Sequence, residues 1–264
     1  MKLYTIIPFC LFLIAYKLAA QQPTYTNGIG MEFVLIKPGT MVVGKFQPTF
    51  GRMDFEGKPI PEKIYKAAVQ MAKKDAMPGF TVSIEHSYYI GKFEVTQEQW
   101  EKVTGDNPSF FKSDSSGNHP VENISWDDAQ AFIKKLNATD KEHVYRLPTE
   151  FEWEYAARAG AQDDISWKDI GASAVLSDSA TSPVGTMKPN LWGLYDMLGN
   201  VWEWVEDFYN EKIFADPTPP NNGKQHVLKG ASFTGDVKNA TYMTHAAGPA
   251  SKYDVGFRVV MEIK

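Results

Sequence analysis

The chain has 264 residues, 43% hydrophobic and 22% charged, a balance typical of one globular domain with a sizeable core. The formal net charge of −5, with no long basic run, argues against nucleic acid as a partner. The single cysteine, Cys10, excludes a disulfide framework and a site built from several thiolates.

Residues 1–20 have the pattern of a secretory signal peptide. Lys2 precedes an apolar run over residues 4–16, and small residues follow. A membrane span needs about 20 apolar residues, and this run is shorter and contains Pro8. A membrane anchor and a lipid-modified Cys10 are the less favoured alternatives. We therefore expect a periplasmic or secreted mature protein, with no integral membrane segment after cleavage and no cysteine.

The first half of the mature chain alternates strand patterns with loops. Residues 31–44 predict two strands around a Pro-Gly turn, and residues 45–61 predict a loop rich in Gly and Pro. Residues 61–76 have helical composition, and residues 80–95 alternate in the manner of strands. No linker divides the chain, so one domain is predicted over residues 28–264.

Three helix starts with capping signals follow. Thr96 opens a capping box, and Gly105 is a predicted stop. Ser125 opens a second helix and Thr149 a third, which ends near Gly160. The residues of the second helix predicted to face the core are Ala129, Phe132, Ile133 and Leu136. Beyond the third helix the pattern predicts mainly turns and short strands.

Seven segments occur in an order that is specific when taken together. They are MEFVLIKPGTMVVG (31–44), YYIGKFEVTQEQW (88–100), HPVENISWDDAQAFIKKLN (119–137), YRLPTEFEWEYAARAG (145–160), PVGTMKPNLWGLYDMLGNVWEW (183–204), LKGASF (228–233) and GFRVV (256–260). In these segments the chain resembles the formylglycine-generating enzyme, or sulfatase-modifying factor, family. The resemblance implies a loop-rich α/β (α+β) fold of the C-type-lectin-like kind in a single domain. The helix at 61–76 lies where relatives have a shorter connection, so we interpret it as an insertion.

The resemblance also implies a copper site that this sequence lacks. The enzymes of the family hold copper between two cysteines, and soft thiolates select Cu(I). The corresponding positions here are Gly235 and Ala240, neither of which can bind copper. We therefore expect no copper and no formylglycine generation. Ser232, Thr234 and His245 are the candidates for a remaining polar cleft.

A structural calcium site is the second implication of the resemblance. Asp196 and Glu203 would supply carboxylate ligands, and Gly199 and Val201 would supply backbone carbonyls. The alternative is that both carboxylates cap turns while the neighbouring tryptophans fill the core. The family's other calcium loop, upstream of Pro183, matches poorly and is not predicted.

Other charged residues favour structural interpretations. No His-x-His or His-x-x-x-His spacing occurs, so no local sequence motif predicts a histidine-based iron site. The charges around the third helix resemble acid–base candidates, but in this family they belong to a scaffold helix. These residues are Arg146, Glu150, Glu152 and Glu154.

Together these features predict a secreted, non-catalytic binding or cell-envelope assembly module. Its partner would be a protein or a small ligand of the cell envelope, which the sequence does not name. The alternative is an oxidoreductase of the same family whose chemistry uses no cysteine and could use iron.

Overall fold

A computed structural model describes residues 22–46, 52, 58–75, 77–112, 116–214, 218–237, 240–248 and 252–263. The predicted signal peptide and Cys10 lie outside these residues. Across the described part of the chain, no helix has the length and apolar character required to cross a bilayer.

Five α-helices and eleven short strands make up the described fold. The helices are α1 (Glu62–Asp75), α2 (Gln97–Thr104), α3 (Trp126–Thr139), α4 (Glu150–Arg158) and α5 (Trp167–Ile170). The strands are β1 (Thr24–Thr26), β2 (Glu32–Ile36), β3 (Gly39–Phe46), β4 (Met77–Ile84), β5 (Tyr88–Gly91), β6 (Tyr145–Arg146), β7 (Trp202–Phe208), β8 (His226–Lys229), β9 (His245–Ala247), β10 (Val255–Phe257) and β11 (Val260–Glu262).

The strands form three sheets. The largest has the order β1-β2-β5-β11-β6, the second has the order β10-β7-β8-β9, and β3 pairs with β4 alone. Within the second sheet β10 runs parallel to β7, and the other pairs are antiparallel. The two strands predicted around the Pro-Gly turn exist, but β2 and β3 join different sheets.

The capping signals place the helices where the sequence predicts them. Thr96, Ser125 and Thr149 each accept a hydrogen bond from the backbone N–H three residues on, and each capping box is reciprocal. Helix α2 ends at Gly105 in the left-handed conformation, with φ 88°. The side chains that α3 buries are the four predicted ones, Ala129, Phe132, Ile133 and Leu136.

Two helices, α1 and α5, differ in how far the sequence predicted them. Helix α1 occupies the segment predicted as helical at 61–76, although its status as an insertion stays a prediction. Helix α5 was not predicted, because it has four residues and only the cap residue Ser166 marks its start. A segment this short lacks a repeating apolar pattern.

The C-terminal segment connects two of the sheets. Strand β10 pairs with β7 in one sheet, and β11 pairs with β5 and β6 in the other. Asp254 directly precedes β10, and its carbonyl accepts a hydrogen bond from Trp202 N–H at 2.9 Å. This connection brings the end of the chain beside the loop that follows β8.

Candidate functional site

The loop after β8 turns sharply at Gly230. Its φ is 83°, and a Cβ there would lie 2.9 Å from the Met197 carbonyl oxygen, so only glycine fits. Phe233 N–H then donates to the Asn200 carbonyl at 2.7 Å, and Gly235 N–H donates to the Ser232 carbonyl at 2.8 Å. These bonds fix the backbone that carries the cleft candidates.

Ser232 and Thr234 share one acceptor, the carboxylate of Asp254. Ser232 Oγ lies 3.0 Å and Thr234 Oγ1 lies 3.3 Å from Asp254 Oδ2, and the two hydroxyl oxygens are 2.9 Å apart. Ser232 and Asp254 are buried, whereas Thr234 is exposed. Asp254 Oδ1 has no hydrogen-bond partner among the described residues.

A second buried carboxylate, Glu122, lies near Asp254. Its Oε1 accepts a hydrogen bond from Phe111 N–H at 2.8 Å, but its Oε2 has no partner within the described part of the chain. Burial raises the pKa of Glu122, backbone hydrogen bonds from Phe111 and Phe110 and the charge of Lys112 oppose this rise, and the negative charge of Asp254 adds to it. Two buried carboxylates, Glu122 and Asp254, therefore lie near each other beside this loop.

An aromatic cluster lies next to these carboxylates. The Phe111 ring contacts the Phe233 ring edge-on, with centroids 5.3 Å apart, and lies 6.3 Å from Tyr253. Phe110 contacts both Phe111 and Tyr253. Phe233 is buried, but Phe110 is 70% exposed and Tyr253 is 41% exposed.

His245, the third cleft candidate, lies in different surroundings. It begins β9, and its Nδ1 is 3.0 Å from Glu150 Oε1 without the alignment of a hydrogen bond. Lys229, fully buried on β8, lies 3.1 Å from Glu154 Oε2 and 3.8 Å from Glu150 Oε1. The structure thus joins Ser232 to Thr234 and places His245 in a separate buried charge cluster.

The charges around α4 pair within the protein, as the scaffold interpretation predicts. Arg146 holds Glu152 through two hydrogen bonds of 2.6 and 2.7 Å. Arg158 donates to Glu154 Oε1 from Nε at 2.9 Å and from Nη2 at 2.7 Å. These contacts are consistent with a structural role for the charged residues of α4 and β6.

The predicted calcium ligands lie in a third cluster, around Arg258. Arg258 donates from Nη2 to Glu203 Oε1 and from Nε to Glu203 Oε2, each at 2.6 Å. Trp153 Nε1 also donates to Glu203 Oε2, at 2.7 Å. Asp196 Oδ2 accepts from Gly185 N–H at 2.7 Å, whereas Asp196 Oδ1 has no partner among the described residues.

Glu94 adds a third carboxylate to the cluster around Arg258. Its oxygens accept from Asn200 Nδ2 at 2.6 Å and from Val201 N–H at 3.1 Å. Burial raises the pKa of Glu94 well above its usual range, and the charges of Asp196 and Glu203 raise it further. When all three carboxylates are ionised, the one guanidinium leaves two negative charges in excess.

Comparison with known proteins places the chain in a family. The model of the sulfatase-modifying factor enzyme 1-like domain matches residues 19–263. The chain belongs to the sulfatase-modifying factor family. This membership confirms the resemblance noted from the seven sequence segments.

Individual relatives of this family member differ in what their names describe. Chaperone protein LppX of Paenibacillus barcinonensis is 31% identical over 235 residues, covering 66% of this chain and 79% of LppX. The formylglycine-generating enzyme of Streptomyces coelicolor is 34% identical over 163 residues, covering 51% of this chain and 50% of the enzyme. The chain therefore aligns with only half of that enzyme's length.

A solved structure supports the same fold. Treponema denticola variable protein 1 has a TM-score of 0.69 and 26% identity, over 92% of this chain and 99% of its own. The predicted single-domain, formylglycine-generating enzyme fold with C-type-lectin-like architecture is confirmed.

The copper chemistry of the family does not fit this member. Position 235 is glycine, and a Cβ there would lie 3.0 Å from the Ser232 carbonyl oxygen, tighter than most Cβ contacts. Ala240 is buried in the hydrophobic core. Neither residue offers a donor atom, so no step through copper can be derived for this chain.

The calcium chemistry of the family fits better. An ionised carboxylate has about four lone-pair sites, so the three hydrogen bonds to Glu203 leave one on Oε1. The free Oδ1 of Asp196, and the negative charge that the cluster carries when its carboxylates are ionised, also suit a hard cation. The described residues contain no group of three or more His, Cys, Asp or Glu side chains arranged for a metal ion. Backbone carbonyls of Gly199 and Val201 would therefore have to complete the ligand set.

Sequence reasoning missed the residues that surround Ser232. Asp254 lies 22 positions from Ser232, and Glu122 lies in a segment that joins this site only in the folded chain. The signal for Asp254 was its place two residues before the GFRVV motif. No local pattern marks Glu122.

Proposed function

We propose that this protein is a non-catalytic binding module that works in the cell envelope or outside the cell. The observation that carries the proposal is that the sequence has a single cysteine, Cys10, and so lacks the family's pair of copper-binding cysteines, whose positions the resemblance assigns to Gly235 and Ala240. The side chains of glycine and alanine provide no metal ligand, nucleophile or redox group. The remaining fold is a rigid frame whose loops can bind a partner.

Two further observations support this proposal. LppX, which aligns over most of its own length, is named a chaperone protein, a function that needs binding rather than oxidation. The apolar N-terminal segment with Lys2 has the features of an export signal. A chaperone-like or assembly role outside the cytoplasm is consistent with both.

The direct test of the non-catalytic role uses a cysteine-containing sulfatase peptide. The purified protein is incubated with the peptide, copper and oxygen, and the peptide is analysed by mass spectrometry. We expect no conversion of the thiol to an aldehyde, whereas the Streptomyces coelicolor enzyme converts the same peptide in a parallel reaction. Conversion by this protein would contradict the proposal.

The binding role and the location need a second experiment. Cell fractionation should recover the protein outside the cytoplasm with Gln21 as its first residue. Affinity capture from that fraction should then recover a specific partner. Recovery of full-length protein from the cytoplasm would contradict the proposed location.

Elemental analysis, together with an activity assay, distinguishes the proposed binding module from the alternative, an oxidoreductase with changed chemistry. Iron or copper bound at one atom per purified chain, together with turnover of a substrate, would favour the alternative. Metal that binds without turnover would leave the binding role intact.

A further inference from the structure

One ammonium group of the chain already approaches the Asp254 carboxylate from the solvent side. Lys252 Nζ lies 3.5 Å from Asp254 Oδ2 and 5.7 Å from the centroid of the Tyr253 ring. The Lys252 side chain is 51% exposed, so this contact is held loosely. The arrangement shows that a primary ammonium can reach the carboxylate beside an aromatic ring.

The charge beneath this contact is only partly balanced. Glu122 and Asp254 are 0% and 1% exposed, and each has one oxygen without a hydrogen-bond partner in the described part of the chain. Buried carboxylates normally have all their oxygens hydrogen-bonded or paired with a cation. Lys252 lies against Asp254, and the charge of Lys112 acts on Glu122, yet each of these buried carboxylates keeps one oxygen without a hydrogen-bond partner among the described residues, which favours the entry of a better-placed cation beside Asp254.

The rim of the site suits an organic cation. Phe110 and Tyr253 expose 70% and 41% of their surfaces, and their rings are 6.0 Å apart. Aromatic ring faces attract ammonium groups, and carboxylate and hydroxyl oxygens accept their hydrogen bonds. Thr234 is exposed, and its hydroxyl oxygen lies 3.3 Å from Asp254 Oδ2.

We propose that Asp254, Thr234, Phe110 and Tyr253, with the buried Glu122 near Asp254 adding negative charge, form an ammonium site that binds a lysine side chain of a partner protein in place of Lys252. This inference rests on the proposed binding function and names the chemistry of its partner. A lysine is favoured over an arginine because its ammonium is compact and resembles the group already present. A protein is favoured over a free amine because Phe110 offers apolar surface beyond the ammonium.

The test uses the full mature chain and a defined peptide, acetyl-Phe-Lys-Phe-amide. Binding is measured by NMR titration and compared with the same peptide in which norleucine replaces lysine. We expect the lysine peptide to bind about tenfold more tightly, as one well-placed charge contact allows. Lys252→Met should raise the affinity for the lysine peptide by roughly fivefold, because the competing ammonium is gone.

Two variants complete the design. Asp254→Asn should weaken the lysine peptide about tenfold while leaving the norleucine peptide unchanged. Lys102→Met, on the exposed surface of α2, serves as the control and should change neither affinity. A gain of affinity in Lys252→Met cannot arise from misfolding, so this variant keeps the test decisive if Asp254→Asn is unstable.

Three results would overturn the inference. These are equal affinity for the two peptides, no gain in Lys252→Met, and competition by Ca²⁺ that abolishes peptide binding and identifies a metal site. The sulfatase-peptide assay tests the proposed function independently of this site. Turnover in that assay would contradict the proposed function without changing the lysine selectivity. Loss of lysine selectivity without turnover would end only this inference.

Discussion

Arg258 donates hydrogen bonds to the Glu203 carboxylate and to two backbone carbonyls, and it lies near the buried carboxylates of Glu94 and Asp196. It is fully buried, and it donates to Glu203, Gly91 and Tyr195. Arg258→Met would leave Glu203 buried without its cation, which costs about 3–5 kcal/mol of the free energy of unfolding. The matched change Lys102→Met removes an exposed i,i+4 pair with Glu98 and should cost less than about 0.5 kcal/mol. Urea denaturation of both variants measures the difference, and similar losses would contradict the prediction.

Gly248 supports the core by having no side chain. A Cβ at this position would lie 1.8 Å from Trp204 Cζ3 and 2.0 Å from Cη2, inside the indole ring. Gly248→Ala should therefore force Trp204 to move and lower stability by about 3 kcal/mol. Gly171 has φ −60° and no atom within 4 Å of the place that a Cβ would occupy, so Gly171→Ala should change stability by less than about 0.5 kcal/mol. Thermal unfolding of the pair tests this, and an undisturbed Trp204 fluorescence in Gly248→Ala would count against it.

At the scale of elements, the capping box at Ser125 sets where α3 begins. Ser125 Oγ accepts from Asp128 N–H at 3.2 Å, and Asp128 Oδ2 accepts from Ser125 N–H at 2.9 Å. Ser125→Ala should lower stability by about 1 kcal/mol, while Ser125→Asn keeps a neutral acceptor beside Asp128 and should retain most of that stability. Chemical denaturation distinguishes the two variants, and an equal loss in both would show that the cap oxygen is not responsible.

The same elements show what sequence could and could not predict. Capping boxes and apolar spacing are local, so the starts of α2, α3 and α4 were predicted from a few adjacent residues each. Strand pairing depends on contacts between distant segments, so nothing local separated β2 from β3 into different sheets. The site follows the same rule: motif spacing identified Ser232 and Thr234, but Asp254 and Glu122 join them only through the fold.

At the scale of the whole molecule, the half-buried Asp207 links stability to pH. Burial raises the pKa of Asp207 to about 6, and the nearby Glu150 charge raises it too, against the hydrogen bond from Glu150 N–H. The folded protein then holds a proton that the unfolded chain has lost, so this group's contribution falls as pH rises from about 4 to 6. Asp207→Asn has no carboxyl group to titrate at this position. Its free energy of unfolding, relative to that of the wild type, should therefore rise by about 2 kcal/mol between pH 4 and pH 7. Urea unfolding at both pH values tests this, and a constant difference between the two proteins would contradict it.

Calcium is the cation that the cluster around Asp196 is proposed to hold. Asp196 is almost fully buried and is one of the residues that line a cavity of about 330 Å³. Because a ligand that binds only the folded state stabilises it, Ca²⁺ at 100 times its Kd should add about 2.7 kcal/mol and raise the Tm. Asp196→Asn keeps an oxygen for Gly185 N–H but removes one charge, so it should need roughly tenfold more Ca²⁺ for the same shift. Calorimetry with EGTA, Ca²⁺ and Mg²⁺ measures these shifts, and Mg²⁺ should have little effect because it requires a smaller octahedral site. An identical Tm in EGTA and in Ca²⁺ would mean that Arg258 alone balances the three carboxylates.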